Sequence, residues 1–211
     1  MPVLKLFHYI LNLIFPQPQQ EVLDWNTCQK PDIQCSSYIS SLFIYKDPQV
    51  QKAIWDLKYR GNKQSAYVFG ELIYSTLLEK LSEEHIFTAL ENPILIPLPL
   101  SKQRKKERGW NQSALLCKAI IHFDLAHTLT YQDKVLIKVR HTNPQTKLSK
   151  KERLENLKDC FCINSNYKDS IIGRDIVLID DVTTTGSTIS EARNVLLKCG
   201  VRSVFAYTIA H

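Results

Sequence analysis

Two adjacent carboxylates followed by a run of hydroxyls make the chemistry-bearing stretch of this chain, Asp180-Asp181-Val182-Thr183-Thr184-Thr185-Gly186-Ser187-Thr188. Paired carboxylates accept hydrogen bonds from sugar hydroxyls, or hold Mg²⁺ directly or through water. The hydroxyls of Thr184, Thr185, Ser187 and Thr188, with the backbone N–H groups of a turn, suit an anion and phosphate above all. Gly186 lets that backbone turn tightly and approach a ligand closely. The stretch lacks the lysine of a Walker P-loop and the three-glycine spacing of a dinucleotide-binding turn. An ordinary Ser/Thr helix cap would explain Ser187 or Thr188, but not the acid pair.

Such a loop needs a strand behind it and a helix in front. Residues 176–179, apolar and mostly β-branched, predict a buried strand that delivers the acids at its carboxyl end. A helix from about Thr188 carries Ile189, Ala192, Val195, Leu196 and Leu197 at helical spacing and stops at Gly200. Its dipole adds to the attraction for phosphate.

A second cationic stretch follows another strand. Residues 93–100 read as a buried strand ended by Pro97 and Pro99, and then come Lys102, Arg104, Lys105, Lys106 and Arg108, with Gly109 after them. Guanidinium groups of Arg104 and Arg108 match phosphate oxygens, which makes this a candidate second anion site. A solvated basic turn, or contact with a nucleic-acid backbone, would use the same residues. The helix over residues 112–121 follows. Upstream, a strand over 40–45 leads to a helix beginning at Asp47-Pro48, with Val50, Ile54 and Leu57 on one face. Lys58-Tyr59-Arg60-Gly61 closes it, either as a complement to the helix dipole or as a charged lip of the ligand site. A packing helix is predicted over 65–81. A strand over 135–139 precedes the polar segment 140–156, which contains Arg140, His141 and several lysines and reads as a lid over an active site. The last strand, 203–209, closes the sheet. This alternation of strands and helices predicts an α/β fold, mainly a parallel sheet with helices on both faces. Ligands of such sheets bind at the carboxyl ends of strands, where all these polar segments fall.

At 211 residues with a net charge of +6, the chain suits one core domain with a small appendage and a polyanionic ligand or nucleic acid. Residues 3–15, with Leu4, Phe7, Leu11 and Ile14 on one face, predict a short amphipathic helix, too short to span a bilayer. Residues 16–37 read as an irregular arm, so the division is 1–39 for helix and arm and 40–211 for the main domain. The six cysteines show neither a disulfide framework nor a C-x-x-C pair, and reduced thiols in a cytoplasmic protein without membrane insertion are the expectation. Cys28 and Cys35 with His8 supply half a zinc site at most, so no zinc is expected.

The Asp180–Thr188 stretch resembles the phosphoribosyl-pyrophosphate (PRPP) motif of type I phosphoribosyltransferases. With Lys58-Tyr59-Arg60-Gly61, Pro97-x-Pro99, Arg104, Arg108-Gly109-Trp110-Asn111-Gln112, Arg140-x-Thr142-x-x-Gln145, Arg153-x-x-Asn156 and Phe161, the chain resembles the ComF/GntX family of phosphoribosyltransferase-like proteins associated with natural competence. That resemblance implies a type I phosphoribosyltransferase fold, PRPP with Mg²⁺ as ligand and a part in DNA uptake. By position, Asp180 and Asp181 would face the ribose hydroxyls and the metal, and Thr184, Thr185, Gly186, Ser187 and Thr188 would hold the 5′-phosphate. Arg104 and Arg108 would lie near the pyrophosphate, and the segment from Arg140 would cover the site; Asp180, Asp181, Arg104 and Arg140 are thus the catalytic candidates. The implied activity is phosphoribosyl transfer to an acceptor with release of pyrophosphate. The alternative is a PRPP or nucleotide sensor without turnover that contacts single-stranded DNA or a protein of the competence machinery. Many family members resemble one another in an N-terminal zinc finger, of which only Cys28 and Cys35 remain here.

Overall fold

The computed structural model describes residue 25 and residues 27–31, 36–83, 92–139 and 159–211. The expected N-terminal helix, Cys35 and the expected lid with Arg140 lie outside the described residues.

The described chain runs β1 (Ile39–Phe43), α1 (Pro48–Arg60), α2 (Lys63–Glu83), β2 (Ile94–Pro97), α3 (Lys102–Arg108), α4 (Gln112–Phe123), β3 (Thr130–Tyr131), β4 (Leu136–Lys138), β5 (Phe161–Ile163), a 3-10 turn (Ser165–Tyr167), α5 (Lys168–Ile171), β6 (Asp175–Val182), α6 (Ser187–Lys198) and β7 (Ser203–Ala210). The main sheet has five strands in the order β1-β7-β6-β2-β3. All of its pairs are parallel, with Ile96 beside Leu178 and Ile176 beside Val204. The α/β architecture is therefore the expected one.

Side-chain alternation along the central strands divides the core in two. Leu95, Val177, Ile179, Tyr207 and Ile209 pack on one face against α1, α2 and α4. Ile94, Ile96, Ile176, Leu178, Val204 and Ala206 pack on the other against α6, with Leu136 and Phe161. Both faces are covered, which is why β2 and β6 read as unbroken apolar runs.

Two expectations are corrected and one alternative is decided. The last strand does not close the sheet: β7 lies inside it, because β1 adds along its outer edge, with Ile39 opposite Ala206. The strand near 135–139 does not join the main sheet either. It pairs antiparallel with β5 as a separate ribbon, Ile137 opposite Cys162. The basic stretch after β2 is a helix rather than a turn. The Ser101 hydroxyl accepts from the Arg104 N–H to start it, and Gly109 at φ 83° ends it. Its cations gather in the last turn, where the helix dipole favours them. No helix of the described residues is long and apolar enough to cross a membrane.

Candidate functional site

The acid pair sits within β6, which extends over Asp175–Val182 and is longer than the apolar run alone predicts. Pairing with β7 carries it on, Asp180 opposite Thr208 and Val182 opposite Ala210. Because alternate residues point to opposite faces, Asp181 shares the side of Val177 and Ile179 and faces α1 and α4. There its Oδ2 meets the Lys58 ammonium at 2.6 Å, and its Oδ1 accepts from Gln112 Nε2 at 3.3 Å. Asp180 Oδ1 accepts from the Ser113 hydroxyl at 3.0 Å and from the Asp181 N–H at 2.9 Å.

These contacts give the two carboxyls opposite character. Burial pushes the Asp180 carboxyl up, and the negative charge of Asp181 adds to that. For Asp181, burial works in the same direction, but the charge and hydrogen bond of Lys58 outweigh it and hold the carboxyl below its ordinary value. Lys58 responds in kind: burial would lower it, and the two acids raise it on balance. The side chains of Lys58 and Asp181 are 22% and 6% exposed, so the pair is only partly screened by water. Lys58→Met leaves Asp181 buried without its cation. A stability loss of about 1–2 kcal/mol is expected at pH 7, shrinking toward acid pH as Asp181 protonates, and urea melts at the two pH values would show it.

The loop after β6 begins with buried Thr183, whose N–H donates to Ala210 O at 3.0 Å. Gly186, at φ 70°, takes the N-cap position of α6, where it has no side chain to make a cap hydrogen bond. The ordinary Ser/Thr cap is thus excluded: helix α6 starts at Ser187, and the Ser187 hydroxyl instead lies 2.5 Å from that of Thr185. The first-turn N–H groups of α6 and the acid pair lie at the same end of the sheet, at either end of one short loop.

Arg108 and Arg104 have different surroundings. Arg108 Nη1 donates to Gln112 Oε1 at 2.9 Å, so a chain of polar contacts runs Arg108–Gln112–Asp181–Lys58. Arg104 is half-buried on α3 and acts electrostatically on Lys138 of β4. Burial chiefly, with Arg104, lowers the Lys138 ammonium, while Cys160 and then Asp180 oppose the shift. Within the β4–β5 ribbon, the Lys138 ammonium lies 5.4 Å from the centroid of the Phe161 ring.

The two cations of Lys58-Tyr59-Arg60-Gly61 turn to different acids. Arg60 turns back to Asp56 at 3.1 Å on the helix surface, whereas Lys58 enters the site. Their helix is locked to the α3–α4 corner: Trp110 Nε1 donates to Leu57 O at 3.1 Å. Gly61, at φ 60°, lies so close to the Trp110 ring that a Cβ would meet it at 3.0 Å. The Asn111 side chain completes the corner, donating to Leu98 O and accepting from the Ser113 N–H.

Sequence reasoning assigned no role to Gln112, Ser113 or Lys138. A signal existed for the first two. They lie one turn before the core residues Leu116 and Cys117 and are themselves fully buried, polar types on an apolar face. Lys138 carried no such mark.

A Mg²⁺ ion bound by the protein alone does not fit this donor set. Lys58 already occupies Asp181, and no group of three or more His, Cys, Asp or Glu suited to a metal occurs among the described residues. A cation carried by ligand phosphates and reached through water needs only the two carboxylates, which are present. Cys28 is buried, and its thiol lies 4.0 Å from Gln49 Oε1.

No family model matches the chain. Among curated proteins, it is 32% identical over 170 residues to competence protein ComFC of Bacillus subtilis, covering 80% of this chain and 62% of that protein. It is 30% identical over 158 residues to DNA utilization protein YhgH of Salmonella typhimurium, covering 74% and 65%. It is 35% identical over 117 residues to competence protein F of Haemophilus influenzae, covering 55% and 49%. The chain thus spans between about half and two thirds of these relatives' length. Among solved structures, a hypoxanthine phosphoribosyltransferase from Trypanosoma cruzi aligns with TM-score 0.42 and 11% identity, over 69% of this chain and 63% of that one. A glutamine PRPP amidotransferase from B. subtilis aligns with TM-score 0.41 and 14% identity, over 74% and 30%. By its sequence relatives, and with the parallel α/β sheet and strand-end acid pair that its motifs anticipate, the chain is similar over most of its length to the competence and DNA utilization proteins of the ComF family.

Proposed function

We propose that the protein binds PRPP across the end of β6 and transfers its phosphoribosyl group to an acceptor, in the service of DNA uptake. One observation carries the reading: an acid pair, Asp181 buried and Asp180 half-buried, and a helix N-terminus with glycine at its N-cap stand at opposite ends of one short hydroxyl-rich loop. A ribose 5-phosphate has hydroxyls at one end and a phosphate at the other. Asp180 and Asp181 would accept from the ribose hydroxyls, while Thr184, Thr185, Gly186, Ser187 and Thr188 would hold the 5′-phosphate. Arg104 and Arg108 would balance the pyrophosphate, and the segment from Arg140 would cover the site.

In the reaction, the bond between the anomeric carbon and a pyrophosphate oxygen breaks as the acceptor forms a bond to the same carbon. Pyrophosphate leaves with the bonding electrons, and positive charge develops on the ribose. The residues named above would fix the ribose and exclude water, which converts binding into orientation. Mg²⁺ on the pyrophosphate, with Asp180 and Asp181 reached through water, would supply charge neutralisation.

Isothermal titration with PRPP and Mg²⁺ tests the binding, and pyrophosphate release with a panel of bases, amines and DNA tests the transfer. Heat on titration, and release above the no-acceptor control, are expected. No heat would sink the whole reading; heat without release from any acceptor would leave the sensor reading in its place.

A further inference from the structure

We propose that the outer face of α1, together with α3, is a stacking platform for single-stranded nucleic acid. The inference goes beyond the PRPP reading and does not depend on it.

The inner face of α1 is spent on the core through Val50, Ala53, Ile54 and Leu57. Its outer face carries Trp55 and Tyr59, which are 50% and 56% exposed and so gain little from folding. Four residues apart on a helix, they meet with ring centroids 5.3 Å apart and planes tilted by 42°. Each ring has its own guanidinium: Arg60 lies 5.0 Å from the Trp55 centroid, and Arg108 lies 5.3 Å from that of Tyr59. The order across the surface is Arg60, Trp55, Tyr59, Arg108, two rings between two cations.

The platform is held rigidly by the contacts that join α1 to the α3–α4 corner, Trp110 to Leu57 and the close approach at Gly61. Beyond Arg108, α3 continues the positive charge with Lys102, Arg104, Lys105 and Lys106 against the single acid Glu107. Asp56, paired with Arg60, is the other acid within the ladder.

Adjacent aromatic faces beside a track of cations are what a single strand uses. Bases stack on the rings without regard to sequence, and phosphates follow the cations. A duplex keeps its bases stacked inside and cannot offer them to Trp55 or Tyr59. A protein partner is the poorer fit, because lysine is depleted at protein interfaces and α3 is largely lysine and arginine.

The test is fluorescence anisotropy of a labelled oligo-dT, single-stranded and as a duplex, with the full chain at low and high salt. The single strand is expected to bind more tightly than the duplex, and more weakly as salt rises. Trp55→Ala and Tyr59→Ala should each weaken it by about 5- to 150-fold, Trp55→Leu as much, and Trp55→Phe much less. Circular dichroism melts confirm that each variant is folded. Wild-type affinity in the folded alanine variants, equal binding of duplex and single strand, or no binding at low salt would each overturn the proposal. PRPP titrations of Trp55→Ala run alongside and should match wild type. An absence of PRPP heat in the wild type would sink the PRPP reading alone and leave the oligonucleotide result readable.

Discussion

Asp181→Asn and Asp180→Asn are each expected to weaken PRPP binding by about 10- to 100-fold, the worth of one or two hydrogen bonds to a charged acceptor, while moving stability in different directions. Asp181 loses its charge opposite Lys58, which stands 2.6 Å away. A fully buried pair broken in this way costs about 3–5 kcal/mol, but Lys58 retains a path to water, and about 1–2 kcal/mol is the fitting expectation. Because Lys58 holds the Asp181 carboxyl below its ordinary value, its contribution is present above the carboxyl's unfolded pKa and lost as pH falls through the folded one. The gap between wild type and Asp181→Asn should therefore be widest near neutrality and close in acid.

Asp180 carries the opposite sign. Burial, with the charge of Asp181 behind it, raises its carboxyl, so ionising it works against folding once pH passes the unfolded pKa. An asparagine oxygen can still accept from the Ser113 hydroxyl and the Asp181 N–H, the two donors at Asp180 Oδ1. Asp180→Asn should then melt at or above the wild-type temperature at pH 7 and still bind PRPP poorly. Undiminished PRPP affinity in both variants would remove the acid pair from the ligand site. Destabilisation by Asp180→Asn at neutral pH would refute the electrostatic account.

Gly70→Ala should destabilise the fold by about 1–3 kcal/mol, although alanine is the better helix former by about 1 kcal/mol. Gly70 lies on α2 where that helix crosses α4. An added Cβ would stand 2.4 Å from Ala119 Cβ and 3.1 Å from the backbone of Ala119 and Ile120. Neither neighbour is the end of a flexible side chain, so the helices themselves must part. The strain reaches the site, because the first turn of α4 presents Gln112 and Ser113 to the acids. Gly70→Val should cost more. Gly70→Ala with Ala119→Gly should recover most of the loss beyond the helix penalty of the new glycine, a coupling that a double-mutant cycle in urea would measure. An additive cycle would mean that the crossing relaxes freely.

The corner between α3 and α4 shows how far local pattern reaches. Ser101 and Gly109 are ordinary helix start and stop signals, yet the seven residues between them carry no buried side chain and hence no apolar period. Charge composition left a solvated turn open as one reading; capping produced a helix. The β4–β5 ribbon was similarly hidden. A strand of three residues shows too little alternation to declare its partner, and β5 lies beyond a long polar segment.

Sequence alone determined the elements whose stability is local: the apolar strands, the helix from Asp47-Pro48 to Gly61, and the strand, acids, hydroxyl loop and helix that end in Gly200. Their signals are periodicity, caps and glycine positions, all carried within a few residues. It could not determine where Lys58 would go, since a helix-ending lysine looks the same whether it soothes a dipole or faces an acid far along the chain. Only the tertiary structure decided that. The parity of β6 turns Asp181 toward α1 and α4, the Trp110 corner fixes the end of α1, and the ammonium that results occupies the carboxylate. The same packing leaves Trp55 and Tyr59 outside, beside two arginines from different helices, an arrangement that no spacing in the sequence records.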